Sequence, residues 1–204
     1  MTAPQPTLTI IAGANGAGKS TFTRATQESL QVPVIDPDTE ARRVRPDDPE
    51  AAQIAGGKQA IKRARAYLAN NQSFAVETTL SGNTYLRMMA EAKRKGWQVF
   101  LIYVGVDNVQ TSIERVAQRV AAGGHNVPSE DIRRRYARSL ANLVVAIQQA
   151  DTTLIIDNST KVGHRQLLTI AQGRVTKQAS ELPEWIKAAL PLEFTEPNQN
   201  QSTQ

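Results

Sequence analysis

Leu8-Thr9-Ile10-Ile11-Ala12-Gly13-Ala14-Asn15-Gly16-Ala17-Gly18-Lys19-Ser20-Thr21 is the stretch that decides the fold. Its first five residues form a short apolar, β-branched run that ends at a glycine, the pattern of a strand buried in a parallel sheet. Gly13–Ser20 then fits G-x-x-x-x-G-K-[ST] without a mismatch. Glycines let backbone N–H groups turn inward around a β-phosphate with no Cβ in the way. Lys19 is placed to reach β- and γ-oxygens, and the Ser20 hydroxyl suits Mg²⁺. Helix-compatible sequence from Lys19 to about Leu30 points its positive end at the same anion. A strand before and a helix after separate a nucleotide-binding loop from a plain glycine turn. Gly13, Ala14, Asn15, Gly16, Ala17, Gly18, Lys19, Ser20 and Thr21 are therefore the expected ATP-binding residues, with Ser20 on the metal.

Further strands are expected at Val32–Ile35, Ser73–Glu77, Trp97–Val104 and Thr152–Ile156. Helices are expected over Pro49–Asn70, Tyr85–Lys95 and Asn108–Ala121, and from Ser129, an expected N-cap. Ile54, Ile61, Ala64 and Leu68 are spaced for one buried helix face, as are Ile132, Tyr136, Leu140, Leu143 and Ile147. Gln166–Lys177 reads as a hairpin around Gly173, and Leu182–Leu190 as a short terminal helix. Strands alternating with helices predict an α/β fold, a five-stranded parallel sheet flanked by helices. At 204 residues this is one domain, over 1–190, followed by a disordered tail at 191–204.

Composition narrows the function classes. No apolar run approaches the ~18 residues a membrane span needs, and no secretory signal is visible. The chain has no cysteine, which excludes disulfides, thiolate metal sites and a cysteine nucleophile, and points to a cytoplasmic protein. A net charge of +5 suits phosphate binding. Arg115, Arg119, Arg133, Arg134, Arg135 and Arg138 fall within one stretch with few aromatics between them, which favours small-molecule phosphates over a nucleic-acid backbone.

Ligands in open α/β sheets sit beyond the carboxyl ends of the strands. Asp36 and Asp38 follow the second expected strand, and Glu77 and Thr78 lie at the end of the third. Phosphoryl transfer benefits from a carboxylate that orients an acceptor hydroxyl and takes its proton. Asp38 is the first candidate and Asp36 the second, with an N-cap or Asx-turn around Pro37 as the alternative for either. Glu77 suits a Mg²⁺-bound water or acceptor hydroxyls, and Asp36, Glu77 and Thr78 are the expected acceptor-binding residues. Asp157 ranks below these, with a capping alternative. Two arginine-bearing helices joined by Gly123-Gly124-His125 form an expected lid, in which Arg119 and Arg135 would clamp phosphate oxygens. Arg133 and Arg134 belong to a solvated face, and His125 is assigned no catalysis.

The motifs Ile11–Thr21, Ile35-Asp36-Pro37-Asp38 and Glu77-Thr78-Thr79-Leu80-Ser81-Gly82 resemble the zeta toxin kinases. Arg115–Val120, Gly123–Pro128 and Arg135–Leu140 resemble a zeta-like ATPase subgroup, and the likeness covers roughly residues 7–160. This resemblance implies an adenylate-kinase-like P-loop fold. It also implies ATP- and Mg²⁺-dependent phosphorylation of a hydroxyl on UDP-N-acetylglucosamine or a related nucleotide sugar. Lys19 and Ser20 would then handle ATP and Mg²⁺, Asp38 would be the base, and Glu77 would contact the acceptor. Arg119 and Arg135 would clamp the phosphates, and a small helical antitoxin would be the partner. Two other readings stand beside it. One is a kinase for nucleosides, nucleotides or polynucleotide ends; the other is a non-catalytic nucleotide-dependent switch.

Overall fold

The structure, a computed structural model, describes residues 4–160 and 162–196. Its spine is β1 (Thr7–Ala12), in which Leu8, Ile10 and Ile11 are fully buried. Each such side chain contributes about 1.5–3 kcal/mol on leaving water, enough to hold this strand at the centre. Around it lie β2 (Val34–Ile35), β3 (Phe74–Thr78), β4 (Gln98–Gly105) and β5 (Thr152–Asp157). The order β2-β3-β1-β4-β5 is parallel throughout, so the carboxyl ends of all five strands open on one edge.

The expected hairpin is present as β6 (Arg165–Ala171) and β7 (Arg174–Gln178). It extends the same sheet by two antiparallel strands, giving seven rather than the five anticipated. Helices cover both faces: α1 (Lys19–Leu30), α3 (Gln53–Ala69), α4 (Thr84–Arg94), α5 (Val109–Ala121) and α6 (Ser129–Gln149). A terminal helix, α7 (Glu184–Ala189), adds the buried Trp185 and Ile186.

Asp36-Pro37-Asp38 starts an unanticipated helix, α2 (Pro37–Val44), with Pro37 in the first turn and Asp36 in the N-cap role that was its alternative. Three local expectations are corrected. Ile54 is 77 % exposed, because α3 buries Gly56, Ala60, Ala64 and Leu68 instead. Ser129 is the first residue of α6 and not its cap; Pro128 holds the N-cap position without a side-chain bond. Past Pro191 the backbone turns once more as a 3₁₀ segment (Leu192–Phe194) that buries Phe194. Residues 197–204 of the expected tail lie outside the described residues.

Candidate active site

The turn after β1 is shaped by what presses on it. A Cβ on Gly13 would sit 2.1 Å from the Val104 carbonyl oxygen, so only glycine lets β1 pass β4 into the loop. Gly16 and Gly18 adopt φ of +74° and +98°, the left-handed region that L side chains avoid. The loop backbone therefore curls, and α1 begins directly behind it with its N-terminus at the opening.

Lys19 stands in this curl, its Nζ donating to the Ala14 carbonyl at 3.0 Å. Loss of solvation lowers its pKa, an effect that the attraction of Glu77, Asp38 and Asp36 only partly offsets. An ammonium held short of hydration beside three carboxylates is poised for a stronger anion than any of them supplies. Asn15 Oδ1 is buried without a partner among the described residues.

Parallel register places Glu77 of β3 opposite Ile11, one residue short of the loop. Glu77 is 5 % exposed, and its Oε2 accepts a 2.8 Å hydrogen bond from the Ser20 hydroxyl. These two oxygens are hard donors on adjacent elements beside the lysine, a pairing that fits Mg²⁺. The Thr78 hydroxyl accepts from the Leu80 N–H at 3.0 Å, steadying Leu80 at φ +56°.

The two aspartates divide their duties. Asp36 caps α2, accepting from the N–H groups of Asp38 and Thr39 and from the Thr39 hydroxyl. The Asp38 carboxylate accepts no hydrogen bond from the described residues and lines the cleft. That α2 is held at all owes much to Glu40. This residue is 4 % exposed and bonds Arg43 and Arg63 at 2.7 Å each.

A cleft of about 730 Å³ joins these groups, running from Gly16, Lys19 and Ser20 past Asp36, Asp38 and Glu77 to the lid. Of the two arginines expected to clamp phosphate, Arg119 lines it and Arg135 does not. Arg119 donates to the His125 carbonyl at 2.9 Å, whereas Arg135 lies 3.9 Å from Asp131 one turn back on α6. The cleft instead gains Arg24, Arg42, Arg115 and Asn158. Arg42 falls one helical turn after Asp38, a relation that only the helical course of α2 creates. Arg115 was visible as the i−4 neighbour of Arg119.

A family model described as an AAA domain matches residues 8–143. The chain belongs to that family. The matched span of the AAA domain runs from β1 into α6 and includes the loop, both aspartates, Glu77 and the lid. An uncharacterized protein of Haemophilus influenzae is 36 % identical over 124 residues, covering 61 % of this chain and 88 % of that protein. Among solved structures, a chain of the AvrRxo1-ORF1:-ORF2 complex with ATP is similar, with a TM-score of 0.65 at 16 % identity. The match covers 98 % of this chain, which spans 66 % of the length of that one. The PezAT toxin–antitoxin system of Streptococcus pneumoniae gives a TM-score of 0.58 at 16 % identity, covering 98 % of this chain and 82 % of that chain. Likeness at these identities establishes a P-loop kinase-like fold.

Proposed function

We propose that this chain is an ATP-dependent kinase of the zeta-toxin type, transferring the γ-phosphoryl group to a hydroxyl of UDP-N-acetylglucosamine or a related nucleotide sugar. The observation that carries the reading is the cleft itself. A poorly solvated Lys19 in a glycine cradle faces an unengaged carboxylate, Asp38, and the Ser20–Glu77 pair across one open space.

In this reading Gly13–Thr21 wraps the polyphosphate and Lys19 draws its β- and γ-oxygens. Mg²⁺, where bound, supplies charge neutralisation on the phosphates, and Ser20 and Glu77 are the residues that would hold it. Asp38 orients the acceptor hydroxyl and accepts its proton as the oxygen bonds to the γ-phosphorus. The bond to the β–γ bridging oxygen breaks, leaving ADP. Arg119 and Arg115 oppose the charge on the transferring group. Asp36 acts by fixing the first turn of α2, and so the aim of Asp38. The resemblance to zeta toxins, and the fold shared with the PezAT system, support a small helical antitoxin as partner.

Mass spectrometry of the protein with Mg-ATP and a panel of UDP-sugars, nucleosides, nucleotides and 5′-hydroxyl oligonucleotides tests this. Phosphorylated UDP-amino-sugar is the expected product. Phosphate on a nucleoside or polynucleotide end would replace the acceptor and keep the kinase. ATP bound tightly with no phosphorylated acceptor would favour a nucleotide-dependent switch.

A further inference from the structure

The segment just after β5 is tied to the phosphate loop on one side and to the last helix on the other. Asn158 Nδ2 donates to the Ala17 carbonyl at 2.8 Å, and the Asn158 N–H donates to the Gly105 carbonyl at 2.9 Å. A Cβ on Gly18 would lie 2.3 Å from that same Nδ2, so loop and side chain are in close contact. His164 adds a longer contact, its Nε2 3.4 Å from the Gly18 carbonyl oxygen. One residue back, Asp157 is 4 % exposed and accepts from Trp185 Nε1 at 3.0 Å and from the Ser159 hydroxyl. The Trp185 ring fills the space over Gly105, where a Cβ would come within 2.2 Å of it.

Planarity gives the Asn158 bond a consequence inside the cradle. In a trans peptide the Ala17 carbonyl and the Gly18 N–H point in opposite directions. A donor that fixes the direction of the carbonyl thereby fixes that of the Gly18 N–H, one of the groups a phosphate cradle turns toward its anion. Without that donor the glycine-flanked peptide is free to rotate, and its orientation must be set at the moment of binding.

We infer that Asn158 is a positioning residue for the phosphate loop, and that Trp185 of α7 holds it in place through Asp157. The inference rests on the reading of Gly13–Ser20 as a polyphosphate cradle. It extends nucleotide binding to elements beyond residues 8–143, the span that matches the family. Asn158 lines the cleft and Trp185 is not among its lining residues, which lets direct contact with ligand be told from action through the brace.

The experiment uses the full chain with Trp97→Phe, leaving Trp185 as its single indole, since the sequence holds two tryptophans. Mg-ATP affinity is measured by calorimetry and Trp185 emission is followed in the same titration, with thermal melts to confirm folding. Asn158→Leu is expected to weaken Mg-ATP binding on the order of tenfold, as for one lost orienting hydrogen bond. It should also flatten the Trp185 response at saturating ATP. Trp185→Phe, made with Trp97 intact, loses the N–H to Asp157 together with the part of the indole that lies over Gly105; it should weaken binding severalfold. If Asn158→Leu does not fold, Trp185→Phe decides. Unchanged affinity in Trp185→Phe, or a Trp185 emission indifferent to bound ATP, overturns the brace while leaving the nucleotide site standing. A parent protein that binds no Mg-ATP overturns the cradle reading and the brace with it.

Discussion

Lys19 and Asp38 show how far single residues carry this molecule. Because loss of solvation lowers the folded-state pKa of Lys19, the unfolded chain binds its proton more tightly than the folded chain does. The resulting cost is fully present below the lowered value and fades as pH rises through it toward the ordinary lysine value of 10.5. Lys19→Met should therefore raise the Tm of the ligand-free protein slightly at pH 7 while abolishing the further rise that Mg-ATP produces. A drop in ligand-free Tm would show that attraction by Glu77, Asp38 and Asp36 outweighs lost solvation. For Asp38, the free carboxylate beside a capping Asp36 makes a separate expectation. Asp38→Asn should keep Mg-ATP affinity and lower turnover by about 10²-fold or more, as loss of a general base does. Asp36→Asn, which keeps one accepting oxygen at the cap, should cost far less. Equal turnover losses in the two variants would remove the distinction drawn between them.

At the scale of elements, the strands and the loop were legible because their signals are local: an apolar run, a glycine pattern, a lysine at fixed spacing. Helix α2 was not. Asp36-Pro37 serves equally as the end of a strand turn and as an N-cap followed by proline at the first helical position. What decides between them is tertiary. Gly56 of α3 lets α2 approach so closely that a Cβ there would lie 2.6 Å from the Ala41 nitrogen and 2.7 Å from its Cα. Glu40 then bridges the helices to Arg63. Neither contact has a sequence signature, and together they turn α3 so that Ile54 faces water. Gly56→Ala should thus be costly despite the better helix propensity of alanine. Overpacking against backbone that cannot swing aside costs roughly 1–3 kcal/mol, read as a lowered denaturation midpoint. Since α2 carries Asp38, turnover should fall further than stability alone explains. A variant as stable and active as the parent would mean that the two helices part without consequence.

Across the whole molecule, the span that matches the family, residues 8–143, ends inside α6, yet the sheet does not end there. The parallel strands were foreseeable from their hydrophobic runs, and so was the hairpin around Gly173. Its docking on β5 was not, since the seven residues between Asp157 and Arg165 carry none of the two-residue turn signals that announce a hairpin. That docking covers an edge of the sheet which would otherwise present unpaired backbone groups. It also brings Leu167, Leu168, Ile170, Trp185, Ile186 and Phe194 into the main core, each nearly fully buried. At about 1.5–3 kcal/mol per large apolar side chain, these six rival the ~5–15 kcal/mol by which a whole domain is stable. A chain ending at residue 160 should consequently show no cooperative thermal transition and no near-ultraviolet signal of fixed tertiary packing. It would keep every residue of the phosphate loop, both aspartates, Glu77 and the lid, so loss of ATP binding in it would be a failure of support and not of site chemistry. A sharp melt with Mg-ATP affinity intact would instead make β6, β7 and α7 an appendage on a self-sufficient domain, and would leave Trp185 with nothing to brace.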